Sequence, residues 1–136
     1  MLESAKHTLL KRAAMRGLTA DGYSLFFEPT YPPVNRLCWS GYRPDVLGVI
    51  YSESETRLAL AECETDPRPN RVREKASKIQ GTMSLQKRLD EEHSIRPILV
   101  IPWGTLGNIM YPGIRKLWEI WLVDQTGEAN RIPRNT

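Results

Sequence analysis

Two glutamates one residue apart, Glu62 and Glu64, close the apolar run Leu58-Ala59-Leu60-Ala61, where a core would not place charge. In an extended strand alternate side chains share a face, so Leu58, Leu60, Glu62 and Glu64 fall on one side and Cys63 on the other. Like charges so placed repel one another unless a cation or a proton intervenes. Asp45 follows Pro44 at the head of the preceding apolar run. If the two runs pair, a third carboxylate joins the glutamates. Clustered carboxylate oxygens suit Mg²⁺ or Mn²⁺, which keep several waters and need few protein ligands. Such an ion polarises a phosphoryl oxygen and acidifies its bound water. The plainer alternative is a pair of solvated acids at a strand end.

A second feature follows directly. From Arg68 to Arg88 the chain carries Arg68, Arg71, Arg73, Lys75, Lys78, Lys87 and Arg88 against the single acid Glu74, although the whole chain has a net charge of only +3. A basic stripe on a near-neutral protein is an electrostatic footprint for phosphate backbones, and DNA is the expected partner. A solvated helix face would have the same composition. Acids suited to a metal, followed at once by a phosphate-attracting segment, suggest metal-assisted attack on a phosphodiester.

Other chemistries find little support. The chain contains no P-loop, no dinucleotide-binding glycine fingerprint and no Gly-x-Ser-x-Gly. Cys38 and Cys63 form no CxxC and lie near no histidine pair. That argues against a zinc module or a disulfide scaffold and for a reducing, cytoplasmic setting. Cys63 reads as a small apolar filler. His7 and His93 stand isolated in sequence and read as surface or packing residues. Trp39, Trp103, Trp118 and Trp121 could stack on bases, but Trp118 and Trp121 occupy strand positions that usually fill cores or interfaces. The Trp- and Ile-bearing stretch 101–121 also suggests a homodimer contact.

The elements that must position these residues can be read from periodicity. The 136 residues, 40% hydrophobic and 26% charged, suit a single domain spanning 1–136. The N-terminal segment lacks an apolar core of signal-peptide length, being interrupted by Lys6, Lys11 and Arg12. Pro97 to Ile114 is uncharged over 18 residues, yet three prolines and three glycines make it strand and loop rather than a membrane span. Leu2, Ala5, Leu9 and Ala13 predict a first helix stopping at Gly17. Tyr23–Glu28 predicts a short strand, broken by Pro29–Pro33. Asp45–Tyr51 and Arg57–Thr65 predict an antiparallel hairpin. Val72, Ala76, Ile79 and Met83 predict a helix with proline at its start. Ile98–Ile101 reads as a strand buried on both faces, Ile109–Leu117 as a short helix, Trp118–Asp124 as a last strand, and Gln125–Thr136 as a frayed tail. The resulting fold class is α/β, a mixed sheet with helices packed on it.

Pro44-Asp45, sixteen intervening residues, then Glu62-Cys63-Glu64 resembles the signature of the PD-(D/E)xK nuclease superfamily. That signature is a proline–aspartate on one strand and an acid-x-lysine on the next. The element order also resembles the superfamily's restriction-endonuclease-like αβββαβ core, over roughly residues 1–102. In particular the chain is similar to small archaeal members of that superfamily, among them Holliday junction resolvases. The resemblance implies Mg²⁺ or Mn²⁺ as cofactor, with Asp45 and Glu62 as ligands. An acid of the first helix, Glu3, would be a further ligand, with Glu28 as its rival. Glu64 departs from the pattern, since it stands where the superfamily has lysine. Lysine there orients the attacking water and stabilises charge on the phosphate. Some members carry that group on the following helix, where this chain offers Lys75, Lys78 and Gln80. Lys75 and Gln80 flank the buried stripe and Lys78 points further out.

Two functions follow. One is a metal-dependent endonuclease that hydrolyses DNA, with Asp45, Glu62 and Glu3 on the metal, Glu64 as a further ligand or water-positioning group, and a residue of the following helix in place of the lysine. The other is an inactive module of nuclease fold that binds nucleic acid or a protein partner.

Overall fold

The computed structural model describes residues 4–26, 44–53, 55–88, 93–111 and 113–135. Glu3, Glu28, the Pro29–Pro33 break, Cys38 and Trp39 lie outside them. Helix α1 (Ala5–Ala20) is followed by β1 (Ser24–Phe26), β2 (Val46–Tyr51), β3 (Thr56–Cys63), α2 (Pro69–Arg88), β4 (His93–Pro102), a 3₁₀ turn at Leu106–Asn108, α3 (Ile114–Leu117), β5 (Glu119–Val123) and β6 (Ala129–Ile132). The first six elements give the αβββαβ order of a restriction-endonuclease-like core.

All six strands form one mixed sheet in the order β1-β2-β3-β4-β5-β6. β1, β2 and β3 run antiparallel in turn. β3, β4 and β5 run parallel, and β6 returns antiparallel along β5. The hairpin expected from the two apolar runs is β2–β3, with Val46 opposite Ala61 and Tyr51 opposite Thr56. The parallel step from β3 to β4 needs a crossover, and α2 supplies it.

The alternation along β3 sorts the core into two layers. Leu58 and Leu60 face α2 and pack with Val72 and Ile79, while Ala59, Ala61 and Cys63 face α1 and pack with Leu10, Ala13, Ala14 and Leu18. The small side chains on the α1 face let that helix lie close to the sheet. The stripe predicted for α2 is the one buried: Val72 and Ile79 are inaccessible to solvent, and Ala76 and Met83 pack against the same cluster. No helix among the described residues is long and apolar enough to cross a membrane, and the uncharged stretch is strand, 3₁₀ turn and loop.

Three expectations are corrected. Gly17 does not stop α1, which continues to Ala20. A Cβ at residue 17 would fall 2.3 Å from the Trp121 ring, so this glycine permits a close helix–sheet approach. The helix expected over Ile109–Leu117 is confined to Ile114–Leu117, because Gly113 precedes it with φ of 88°, left-handed backbone that a right-handed helix cannot contain. The C-terminal tail is not frayed throughout. Ala129–Ile132 forms the edge strand β6, turned back by Asp124, whose Oδ1 accepts from Thr126 N and Glu128 N. Strand ends also differ from those read in sequence: β3 ends at Cys63, Asp45 immediately precedes β2, and β4 begins at His93, well before Ile98, while the end expected for the first strand at Glu28 lies outside the described residues.

Candidate active site

The end of β3 carries the acids on the face that α2 covers. Extended geometry continues past Cys63, since Glu64 N donates to Val100 O on β4 at 3.0 Å. Glu62 and Glu64 therefore project on the same side as Leu58 and Leu60. Both are buried, at 4% and 8% exposure, and they are the buried charged residues among those described.

Lys75 meets them. It lies on α2 one turn after Arg71 and beside the buried position Ala76. Its Nζ stands 2.8 Å from Glu62 Oε2 and 2.6 Å from Glu64 Oε1. Burial disfavours the ammonium, but the two carboxylates outweigh it and hold the Lys75 pKa well above its ordinary value. Arg71 Nη1 adds a weaker contact to Glu64 Oε2 at 3.8 Å. Strand and helix thus bring a half-buried lysine to the glutamate that occupies the usual lysine position.

Asp45 closes the other side. It stands one residue beyond the Val46–Ala61 pair and is level with Glu62 in the hairpin register. Its Oδ2 accepts from Cys63 N at 2.8 Å, which pins the carboxylate to the end of β3. The Cys63 thiol registers this surrounding charge. Burial raises its pKa, and the carboxylates of Asp45 and Glu62 raise it further. A buried, protonated thiol agrees with its reading as a core filler.

Sequence spacing missed His7. Its Nε2 lies 3.7 Å from Asp45 Oδ1, which brings α1 to the site. No local signal marks this histidine, because the contact spans 38 residues and depends on where α1 docks. The remaining helix candidates point elsewhere. Lys78 lies on the exposed face and pairs with Glu74 at 3.9 Å, and Gln80 is exposed. Arg68 pairs with Asp66 at 3.1 Å, and the Arg73 guanidinium sits 4.3 Å above the Tyr111 ring. Arg68, Arg71, Arg73 and Lys78 are all exposed, with Arg71 and Arg73 on different sides of α2, whereas Lys75 is turned inward. Lys87 and Arg88 end α2, and their side chains lie outside those described.

Among the described residues no three acids, histidines or cysteines converge as a ready-made metal cage. The oxygen donors that are present, Asp45 and Glu62, suit a hard cation, since Mg²⁺ is commonly held by one or two carboxylates and fills its shell with water and substrate phosphate. The expected dimer stretch is largely core: Ile101, Ile109, Ile114, Trp118 and Ile120 are buried, and Trp103 and Met110 are the large apolar side chains there that stay exposed.

Neither a protein-family model nor a curated protein matches the sequence. Among solved structures, the crystal structure of an XisH family protein from Nostoc punctiforme PCC 73102 is similar in fold. Its TM-score is 0.50 at 14% sequence identity, and the alignment covers 95% of this chain and 99% of that one. The likeness extends over both chains and concerns the fold alone.

Proposed function

We propose that this chain is a divalent-metal-dependent nuclease that hydrolyses phosphodiester bonds in DNA, with Lys75 doing the work of the strand lysine that Glu64 replaces. The contact of Lys75 Nζ with both Glu62 and Glu64 carries this reading. A cation brought from α2 to that point can stabilise negative charge on the reacting phosphate, and its raised pKa keeps it charged at every working pH. Glu64, held beside Lys75, can orient a water by accepting its proton-bearing edge. Asp45 and Glu62 would hold Mg²⁺ or Mn²⁺, which when bound supplies an acidified water and neutralises phosphate charge. His7 positions Asp45 from α1. Arg68, Arg71, Arg73 and Lys78 hold the DNA backbone without reading sequence, so affinity falls steeply with salt.

A module that binds without cutting is the alternative. It is favoured by the charge balance within the triad, where Lys75 already compensates the buried carboxylates. The two readings separate in one assay on plasmid and branched DNA with Mn²⁺. The nuclease reading expects cleavage, its loss on chelation, and a fall of about 100-fold or more in Asp45→Asn. DNA binding with no cutting of any substrate, insensitive to both chelation and Asp45→Asn, supports the module instead.

A further inference from the structure

On the α1 side of the sheet, the face opposite the triad, lies a cleft of about 620 Å³ that the nuclease reading leaves unused. Its size falls within the range of small-ligand pockets, roughly 300–1,000 Å³. Leu9 of α1 and Val123 of β5 form an apolar wall, Thr65, Gln125 and the acid Asp124 add polar groups, and Lys6 and Trp103 also line it. Two of these residues adjoin the site in sequence. Thr65 follows Glu64, and Lys6 precedes His7, so the cleft lies toward the same end of β3 as the triad and beside the turn of α1 that carries His7.

Trp103 is the unusual feature. It is 60% exposed, whereas Trp118 and Trp121 are fully buried. Its backbone is placed by local bonds: the Trp103 main-chain N–H donates to Val123 O at 2.8 Å, the next residue is Gly104 with φ of 89°, and Thr105 Oγ1 donates to Pro102 O at 2.6 Å. A large flat ring exposed to solvent costs apolar exposure and offers a π-face for stacking. Base–aromatic stacking is the standard use of such a platform in single-strand binding, and a nearby ammonium matches the adjoining phosphate.

We propose that this cleft receives an unpaired nucleobase stacked on Trp103, with Lys6 at the neighbouring phosphate. The proposal rests on the nuclease reading and narrows its substrate class to DNA with a single-stranded or frayed segment beside the scissile bond. A base inside a duplex is already stacked on both faces, so duplex DNA cannot enter without being opened.

The test measures binding in EDTA, which separates it from cutting, using a labelled strand of about twelve nucleotides and the corresponding duplex. Trp103→Ala is expected to weaken single-strand binding by about 10- to 100-fold, within the range of one stacked base. Duplex binding should change by less than about twofold, and Trp103→Phe should recover most of the loss. Because the ring is exposed, the thermal midpoint of Trp103→Ala should match the parent, which excludes misfolding. Equal loss on both DNAs, or no loss on either, overturns the base pocket even where Asp45-dependent cutting is intact. Trp103-dependent single-strand binding by a chain that cuts nothing supports the pocket and overturns the nuclease reading.

Discussion

Lys75 is the residue whose surroundings determine most of the behaviour expected of this site. Its removal leaves Glu62 and Glu64 buried together with the weaker contact of Arg71 to Glu64. Breaking a buried ion pair costs about 3–5 kcal/mol, and partial exposure of Lys75 with help from Arg71 places Lys75→Met at the lower end. The variant should also reverse its response to acid. Burial without Lys75 penalises the charged form of both carboxylates, so protonation favours the folded state and stability rises as pH falls. Thermal midpoints of Lys75→Met should increase from pH 8 to pH 5, and Mn²⁺ should raise them at pH 8. A variant whose midpoint is level across that range would show that the glutamates do not depend on Lys75. At this scale the sequence was half legible. The acids announced themselves because charge interrupts an apolar run, and the helical wheel placed Lys75 and Gln80 alike beside the buried stripe, of which Gln80 is exposed. His7 gave no signal, because its partner Asp45 is brought near only by the docking of α1.

Among the elements, α1 and α2 show what glycine means in a helix. Gly17 and Gly81 look alike in sequence, both sitting within helical patterns, and only tertiary contact separates them. A Cβ at Gly17 meets the Trp121 ring at 2.3 Å, whereas a Cβ at Gly81 meets nothing within 4 Å. Gly81→Ala should therefore stabilise the protein by about 0.5–1 kcal/mol through helix propensity. Gly17→Ala should destabilise it by about 1–3 kcal/mol through overpacking. Denaturant titration of the two single variants checks both signs, and a stabilised Gly17→Ala would contradict the packing of α1 on β5. The same cause explains which elements were legible. α2, β2 and β3 have patterns that repeat over several residues and survive any context. β6, with only Ala129 and Ile132 apolar, owes its existence to the Asp124 turn and to a free edge of β5.

Across the whole molecule, charge is organised at two places. Away from the triad, a clasp ties the C-terminal end of α1 to β4, β5 and β6. Arg96 binds Glu119 through Nε and Nη2, each at 2.7 Å, and Asp21 through Nη1 at 2.9 Å. Arg131 reaches Asp21 at 2.8 Å and stacks 4.1 Å from the Trp121 ring centroid. Burial alone would raise the pKa values of Asp21 and Glu119, but their hydrogen bonds with the arginines hold both below the ordinary carboxylate range. Their folded values are depressed, so the stability they contribute is complete above about pH 4–5 and is lost as pH falls through those lower values. Arg96→Met should cost about 1.5–3 kcal/mol at pH 7, or roughly 5–10 °C, and should flatten the acid limb of the stability profile. An acid limb as steep as the parent's would show that the clasp does not link titration to folding. By fixing α1 on the sheet, the clasp also fixes Lys6 and His7 beside the end of β3.

The central claim is that Lys75 performs from α2 what a strand lysine would perform at residue 64, and an exchange of the two charges tests it most directly. The triad keeps its net charge when Glu64→Lys and Lys75→Glu are combined, whereas Lys75→Glu alone places three acids together. Mn²⁺-dependent DNA cleavage should be present in the parent, lost by about 100-fold or more in Lys75→Glu, and largely restored in the double variant. Cleavage by Lys75→Glu at the parent's rate, or none by the parent on any DNA, would contradict it.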